Sequence, residues 1–429
     1  MKNYKKLISL THLILILILI NFLINIVTIN VFAKEDSNGY GGYNNIEWVG
    51  TWACGLQTVE EYNLPPSPGL KGNTLRQAIH VSIGGKRLRL KISNEFGSEP
   101  VIMNSISIAE YKGNGEIDTS TNKVLTFMKS KTVTIKPGGY KWSDPFEFNL
   151  TPLSNIAISI FFIDVNGDIT GHPGSRTTSY IVAGNKTDEG SLSYGASTPH
   201  WYFISALDVV AEDNTAAIIA LGNSITDGRG STTDGNDRWT DQLAKRLQEN
   251  PDTDNIAILN LGIGGNAVLG GGLGPTALER FDRDVLGQNG ARWVIVFEGV
   301  NDIGNCKDSE SLDVANGLIK AYELFIDKAH MAGLKIYGAT ITPFKGHSYY
   351  SYEHEQARIM VNEWIRSSGK FDAVLDFDAV VRDTDDNSKL LSIYDSGDGL
   401  HLNPTGYKAL ADAVDLSLFS YNTSKMLVY

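Results

Sequence analysis

Four short polar segments carry residue types that together could perform nucleophilic acyl transfer. Gly222-Asn223-Ser224-Ile225-Thr226-Asp227-Gly228 places a serine between glycines. Gly262-Ile263-Gly264-Gly265-Asn266 is a glycine-rich turn. Gly299-Val300-Asn301-Asp302 sets an amide beside a carboxylate, and Asp398-Gly399-Leu400-His401-Leu402-Asn403-Pro404 sets a histidine three residues after an aspartate. A serine hydroxyl is a poor nucleophile until a base takes its proton, and imidazole is suited to that near neutral pH. A carboxylate on the other ring nitrogen fixes the tautomer and stabilises the imidazolium. The oxyanion of a tetrahedral intermediate needs donors, backbone N–H groups or an amide, each typically worth roughly 3 kcal/mol. Glycine lets a backbone N–H approach the substrate without a Cβ clash. Taken singly, each residue has a plainer reading: Ser224 as a helix cap, Asn301 and Asp302 as turn formers, His401 as an ordinary loop histidine, Asp398-Gly399 as a turn. Four such segments in one chain are not explained that way.

The elements around them favour a shared site. Apolar runs at Ala217 to Leu221, Ile256 to Leu261, Trp293 to Phe297, Leu334 to Ala339 and Ala373 to Phe377 are too uniform for half-exposed strands. Helical patterns fall at Trp239 to Gln248, Leu312 to Ala332, Tyr352 to Arg366 and Thr405 to Leu418. Buried strands alternating with helices predict a parallel α/β sheet covered on both faces, and such sheets gather their sites at the strands' carboxyl ends. The first three segments follow predicted strands; the fourth precedes the last helix. Before about Asp213 the pattern is different. Ile79, Val81 and Ile83, then Leu88, Leu90 and Ile92, then Val133 and Ile135, then Ile156, Ile158, Ile160 and Phe162 alternate with polar or small residues. Period-2 alternation broken by Gly, Asn, Pro and Asp clusters predicts an all-β sandwich or jelly roll.

In order and strand position, the four segments resemble the four blocks of the SGNH (GDSL-type) hydrolases, over roughly residues 215 to 420. The resemblance implies a flavodoxin-like three-layer α/β domain. It makes Ser224 the nucleophile, His401 the general base and Asp398 the residue that orients His401. The oxyanion hole would comprise the N–H of Ser224, the N–H of Gly265 and the side-chain amide of Asn301; Gly264 is the other candidate glycine. Asn223 departs from the pattern, which has Asp there, and puts the hydrogen bonding around the nucleophile in doubt. A β-sandwich before such a domain is similar to the arrangement of certain bacterial carbohydrate esterases that deacetylate plant polysaccharides.

Competing motifs are incomplete. Gly262 to Ala267 fits G-x-G-x-x-A, and a dinucleotide site would want an acidic residue ending the next strand; only Glu298, just past that strand, keeps this open. His354-Glu355 starts a zincin-like pattern, but position 358 is Arg. Asp383-Thr384-Asp385-Asp386-Asn387 resembles a calcium loop, but Ser388 and Tyr394 stand where Gly and Glu belong, and Asp164 to Asp168 fails similarly at Ile169 and Ser175. The G-x-S-x-G elbow is missing, because Thr226 takes its last position. No cofactor or metal is expected.

The 429 residues suggest two domains, and a composition 42% hydrophobic and 20% charged is that of a globular protein. The formal charge is -12, which disfavours nucleic acid and anionic membranes and suits a neutral polysaccharide or small ester. Lys2, Lys5 and Lys6, the apolar stretch from Leu13 to Phe32, and Val31-Phe32-Ala33 predict a signal peptide at residues 1–33 and a secreted protein; the other reading is an uncleaved anchor. Two cysteines, Cys54 and Cys306, do not make a disulfide framework, although a bridge between them stays open. The expected organisation is a β-sandwich at 34–212 and a hydrolase domain at 213–429. His80 reads as a sheet residue, and Trp48, Trp52, Trp142 and Trp201 as core or sugar-stacking residues. Trp201 or Tyr202 are expected near the rim of a groove. The expected activity is hydrolysis of short-chain acetyl esters, on a polysaccharide such as xylan. The alternatives are a broader lipase or acylhydrolase, or a carbohydrate-binding protein with no activity.

Overall fold

The computed structural model describes residues 47–212 and 214–420. The expected signal peptide and its cleavage after Ala33 lie outside the described residues. Glu47 onward forms one compact unit, in which antiparallel sheets precede a parallel one.

Gly85–Asn94 shows how the first half works. Leu88, Leu90 and Ile92 are fully buried, while Arg87, Arg89 and Lys91 between them are partly exposed, so one face packs and the other is solvated. It sits in a sheet ordered Trp48–Ala53, Ile204–Val210, Gly85–Asn94, Phe146–Leu150, with Gly139–Trp142 also paired to it. The second, larger sheet centres on Asn73–His80, Asn155–Asp164 and Val101–Gly113. Its inner strands bury both faces: Ala157 and Ser159 are as enclosed as Ile156, Ile158 and Ile160. A small third sheet joins Trp201–Tyr202, Thr170–His172 and Gln57–Thr58.

The alternation through Val81 and Ile83 does not continue the strand, which ends at His80. Thr51 takes over instead: its hydroxyl donates to Ile83 O at 2.6 Å and accepts from Ile83 N at 3.1 Å. The turn so formed offers Ser82 Oγ to Ile258 N at 3.0 Å, which ties the β region to the edge of the parallel sheet. Gly50 lies against Leu259 at the same seam, where a Cβ would come within 2.7 Å of the leucine.

The second half is a five-stranded parallel sheet ordered Ile256–Gly262, Ala216–Gly222, Ala291–Phe297, Lys335–Ala339, Ala373–Leu375. Helices Trp239–Glu249, Ser311–Met331, Tyr352–Ser367 and Pro404–Ala413 accompany it. The inner strand Ala216–Gly222, second in the order, is buried throughout, as a sheet covered on both faces requires. Two predicted bounds shift. The last strand stops at Leu375, because Asp376 Oδ1 accepts from Ala379 N at 3.3 Å and caps a short helix that takes in Phe377. The final helix ends at Ala413, and Asp415 caps a separate 3-10 turn at Leu416–Phe419. Its start is set by Asn403, whose side chain accepts from Gly406 N at 3.0 Å ahead of Pro404. That start fixes where His401 sits.

Candidate active site

Ser224 is the first residue of a one-turn helix, Ser224–Asp227, directly after the inner strand Ala216–Gly222. Asn223 caps it, its Oδ1 accepting from Ile225 N at 3.0 Å, and Gly228 closes it at φ 98° with its N–H on Ser224 O. Only glycine fits at 222, where a Cβ would run into the Thr226 side chain. The turn therefore lifts Ser224 over the carboxyl end of the sheet.

Ser224 Oγ lies 2.8 Å from His401 Nε2, and His401 Nδ1 lies 2.7 Å from Asp398 Oδ2. The other oxygen of Asp398 accepts from the N–H groups of His401 at 2.8 Å and Leu400 at 3.0 Å. Burial pushes Asp398 upward, but these hydrogen bonds and the adjacent ring outweigh it and hold the carboxyl at about 2. The His401 ring falls below the usual imidazole value. Burial is the main cause, opposed by the hydrogen bond to Asp398 and its charge, and aided by the nearby charges of Arg229 and His347.

Gly264 and Gly265 line the same cleft, Gly265 with a left-handed φ of 71°. Asn301, in the short helix Val300–Asn305, completes the group. Its Nδ2 donates to Asn266 O at 2.7 Å, and its Oδ1 accepts from the Tyr349 hydroxyl at 3.0 Å. Next to it, Asp302 accepts from Val268 N at 2.9 Å and Leu269 N at 2.8 Å. It thereby staples the glycine turn to the asparagine; burial raises this carboxyl to about 6. All five expected site residues thus converge, with Ser224, Gly265, Asn301 and His401 lining the cleft and Asp398 behind the imidazole.

Residues 220–409 match the model of the GDSL-like lipase/acylhydrolase family. That segment is a GDSL-like acylhydrolase domain. The chain is accordingly a carboxylic ester hydrolase. Among solved structures, it is similar to a protein of Desulfitobacterium hafniense assigned to the G-D-S-L lipolytic family, at 22% identity over 46% of this chain and 97% of that one, TM-score 0.36. It is also similar to an acetyl xylan esterase of Geobacillus stearothermophilus at 20% identity over 48% and 94%, TM-score 0.36. A third is a GDSL-like lipase of Bacteroides thetaiotaomicron at 17% identity over 47% and 87%, TM-score 0.34. No curated protein matches the chain.

The acylhydrolase cleft is walled on one side by the β region, through Gln57, Glu60, Tyr62, Asn63, Arg176 and His200 among others. The expected aromatic rim is not built from Trp201 and Tyr202. Both are buried, Trp201 donating to Ala78 O at 2.9 Å and Tyr202 to Asn63 O at 2.7 Å; their strand forms part of the core, and 76%-exposed Tyr62 stands at the cleft instead. Sequence reasoning also passed over Tyr349 and the buried pair of His172 Nε2 with Asp227 Oδ1 at 2.9 Å. Tyr349 carries no sequence signal of its own, because the packing of separate loops brings it to the cleft.

The remaining motifs find ordinary partners. Arg358 is enclosed by Glu355 and Asp378, both at 2.6 Å, and His354 Nδ1 contacts Tyr349 O at 2.7 Å. Asp386 pairs with Lys345 and Asp164 with Lys71. His80 Nδ1 meets Asn155 Oδ1 at 2.9 Å. Cys54 and Cys306 are free thiols, the first buried. Among the described residues no helix is long and apolar enough to cross a membrane.

Proposed function

We propose that this hydrolase removes short acyl groups, acetyl first, from a hydrated carrier such as an acetylated polysaccharide, through an acyl-serine intermediate, and that it does so outside the cell. The observation that carries the mechanism is the line Ser224 Oγ, His401 Nε2, His401 Nδ1, Asp398 Oδ2, with contacts of 2.8 and 2.7 Å. Ser224 Oγ attacks the acyl carbon while its proton passes to His401 Nε2. The oxyanion is held by the N–H of Ser224 and Gly265 and by the amide of Asn301. As the C–O bond to the carrier breaks, the imidazolium returns the proton to the leaving oxygen. Water then attacks the acyl-enzyme, giving its proton to His401, and collapse releases the acid and restores Ser224. Asp398 keeps Nδ1 protonated and stabilises the imidazolium.

Support for a short acyl group comes from the cleft walls. Leu273 and Leu400 are the only large aliphatic side chains among its lining residues, and the loops from Gly228 to Trp239 and Gly270 to Thr276 are mostly Gly, Asp, Asn, Ser and Thr. Two leucines can cover an acetyl or propionyl group but not an extended chain. The N-terminal run of lysines followed by apolar residues supports export, which sequencing the amino terminus of the secreted protein checks. A chain-length series of p-nitrophenyl esters, beside acetylated xylan, tests the substrate. The expected result is kcat/KM highest for acetate, falling steeply by butyrate or hexanoate, with acetate released from the polymer and all turnover lost in Ser224→Ala. A maximum at octanoate with no release from any acetylated glycan would move the enzyme to the lipases.

A further inference from the structure

The sequence holds thirteen arginines. Eleven of them have a partner for the guanidinium or its ring-stacking face, from buried Arg280 with Asp284 to surface Arg87, which still reaches Glu147 at 3.9 Å. Among the described residues the two whose side chains have no hydrogen-bond or ion-pair partner are Arg176 and Arg229. Both line the cleft that contains Ser224. A random pair of idle surface arginines would not be expected to fall in one cleft of a chain with formal charge -12, where carboxylates outnumber cations.

Arg176 is only partly exposed, and its Nε is buried with no acceptor. A buried donor without a partner is costly. The residue is also fixed in a left-handed backbone, φ 51°, with its carbonyl accepting from Asp234 N at 2.9 Å. Arg229 comes from the other side, immediately after the turn that bears Ser224, with its carbonyl held by the Tyr407 hydroxyl. The cleft's carboxylates do not pair with either arginine: Glu60 accepts from Gln57 and Asn63, and Asp227 accepts from His172 through Oδ1 while its buried Oδ2 has no partner.

Resting on the esterase reading above, we propose that Arg176 and Arg229 form a carboxylate subsite, and that the acyl-bearing carrier presents a carboxylate beside the ester, as an acylated uronate would. Guanidinium groups match planar carboxylates by paired N–H donors. A carboxylate carries a single charge, which an acidic protein repels less than a doubly charged phosphate. Repulsion from the distant surface is screened within about 8 Å at physiological salt, so the local pair of cations decides what enters.

The test uses the intact protein in two independent measurements. In turnover, 4-acetoxybenzoate is compared with its uncharged twin 4-acetoxybenzamide, and acetylated polygalacturonate with acetylated xylan. The expected ratio of kcat/KM favours the anionic member at least tenfold at low salt and shrinks with added salt. It drops at least fivefold in Arg176→Gln and again in Arg229→Gln. In binding, calorimetry with tri-galacturonate against the neutral galactose trisaccharide should show tighter binding of the acid, lost in Arg176→Gln. Equal or better turnover of the neutral partners, ratios unmoved by either substitution, or a sulfated trisaccharide that outcompetes the uronate would overturn the assignment. Failure to hydrolyse p-nitrophenyl acetate at all would sink the esterase reading, and the binding comparison would still decide the subsite.

Discussion

The Tyr349 hydroxyl donates to Asn301 Oδ1 at 3.0 Å while Asn301 Nδ2 donates to Asn266 O at 2.7 Å. Both ends of the amide are therefore fixed, it cannot flip, and one N–H is left for the cleft. Tyr349 is itself seated against Gly304, where a Cβ would run into its ring. Asn301→Ala is expected to lower kcat by roughly a hundredfold or more with KM little changed, as for a contact made in the transition state. Tyr349→Phe keeps the ring and removes one neutral hydrogen bond of about 1 kcal/mol, so kcat should fall about fivefold. In an Asn301→Ala background the same change should cost nothing further. An equal loss in both backgrounds would show that Tyr349 acts by another route.

The pH profile follows from the cleft's electrostatics. In the proposed mechanism His401 must be neutral to accept the Ser224 proton, and burial holds its pKa below the ordinary imidazole value. The logarithm of kcat/KM should therefore rise with pH through a midpoint below 6.5, the ordinary value, and be flat through neutrality. Asp398 is the group that opposes the fall. Asp398→Asn should move the midpoint lower still and drop the plateau at least tenfold, since the imidazolium loses its counter-charge. A midpoint that does not move would mean that Asp398 is not felt by the base.

Much of this site was legible because each block is local. Ser224, Asn301 and the glycines of 264 and 265 follow strands, and His401 precedes a capped helix, so strand order alone brings them to one end of the sheet. The Asp376 cap could also have been read, since Asp followed by an apolar run is a helix start as well as a strand end. Arg176 and Tyr349 could not, because what makes them part of the cleft is the packing of separate loops. Trp201 and Tyr202 carry no sequence mark that separates a core aromatic from one at a rim; only the burial of their three-stranded sheet decides it.

Asn223, the departure from the expected Asp, has a physical partner. Its Nδ2 donates to Glu298 Oε2 at 3.2 Å while its Oδ1 caps the nucleophile turn. Burial raises Glu298 to about 8, with Asp302 adding to the shift and Arg280 opposing it. The folded protein thus holds this proton more tightly than the unfolded chain. The resulting stability is complete below the ordinary value of 4.5 and is lost as pH climbs through about 8. Denaturation midpoints should fall between pH 5 and 9, and Glu298→Gln should flatten most of that fall. At pH 9, where Glu298 is ionised, Asn223→Asp would set a second carboxylate against it and should destabilise by roughly 1–3 kcal/mol, with Glu298→Gln restoring most of it. An Asn223→Asp protein as stable as wild type would remove the reason for the asparagine.

His172 joins the β region to the nucleophile turn. It lies on Thr170–His172 and is almost fully buried, with Nδ1 on Gly55 O at 2.7 Å, Nε2 on Asp227 Oδ1 at 2.9 Å, and its ring stacked on Trp201 at 5.5 Å. Asp227 ends the one-turn helix that Ser224 begins. Gly174 packs where a Cβ would strike the Asp227 carboxylate, which closes that side of the carboxylate. His172→Leu should therefore strand a buried carboxylate and cost about 3–5 kcal/mol in denaturant unfolding. It should also lower kcat, because the helix under Ser224 loses its anchor. Asp227→Asn in the same chain removes the unpaired charge and should recover at least half of the lost stability. It should not recover the full rate, since the link to Thr170–His172 is still cut. Two single losses that simply add in the double variant would show that His172 and Asp227 act independently, and the β region would then be a neighbour of the nucleophile turn instead of its support.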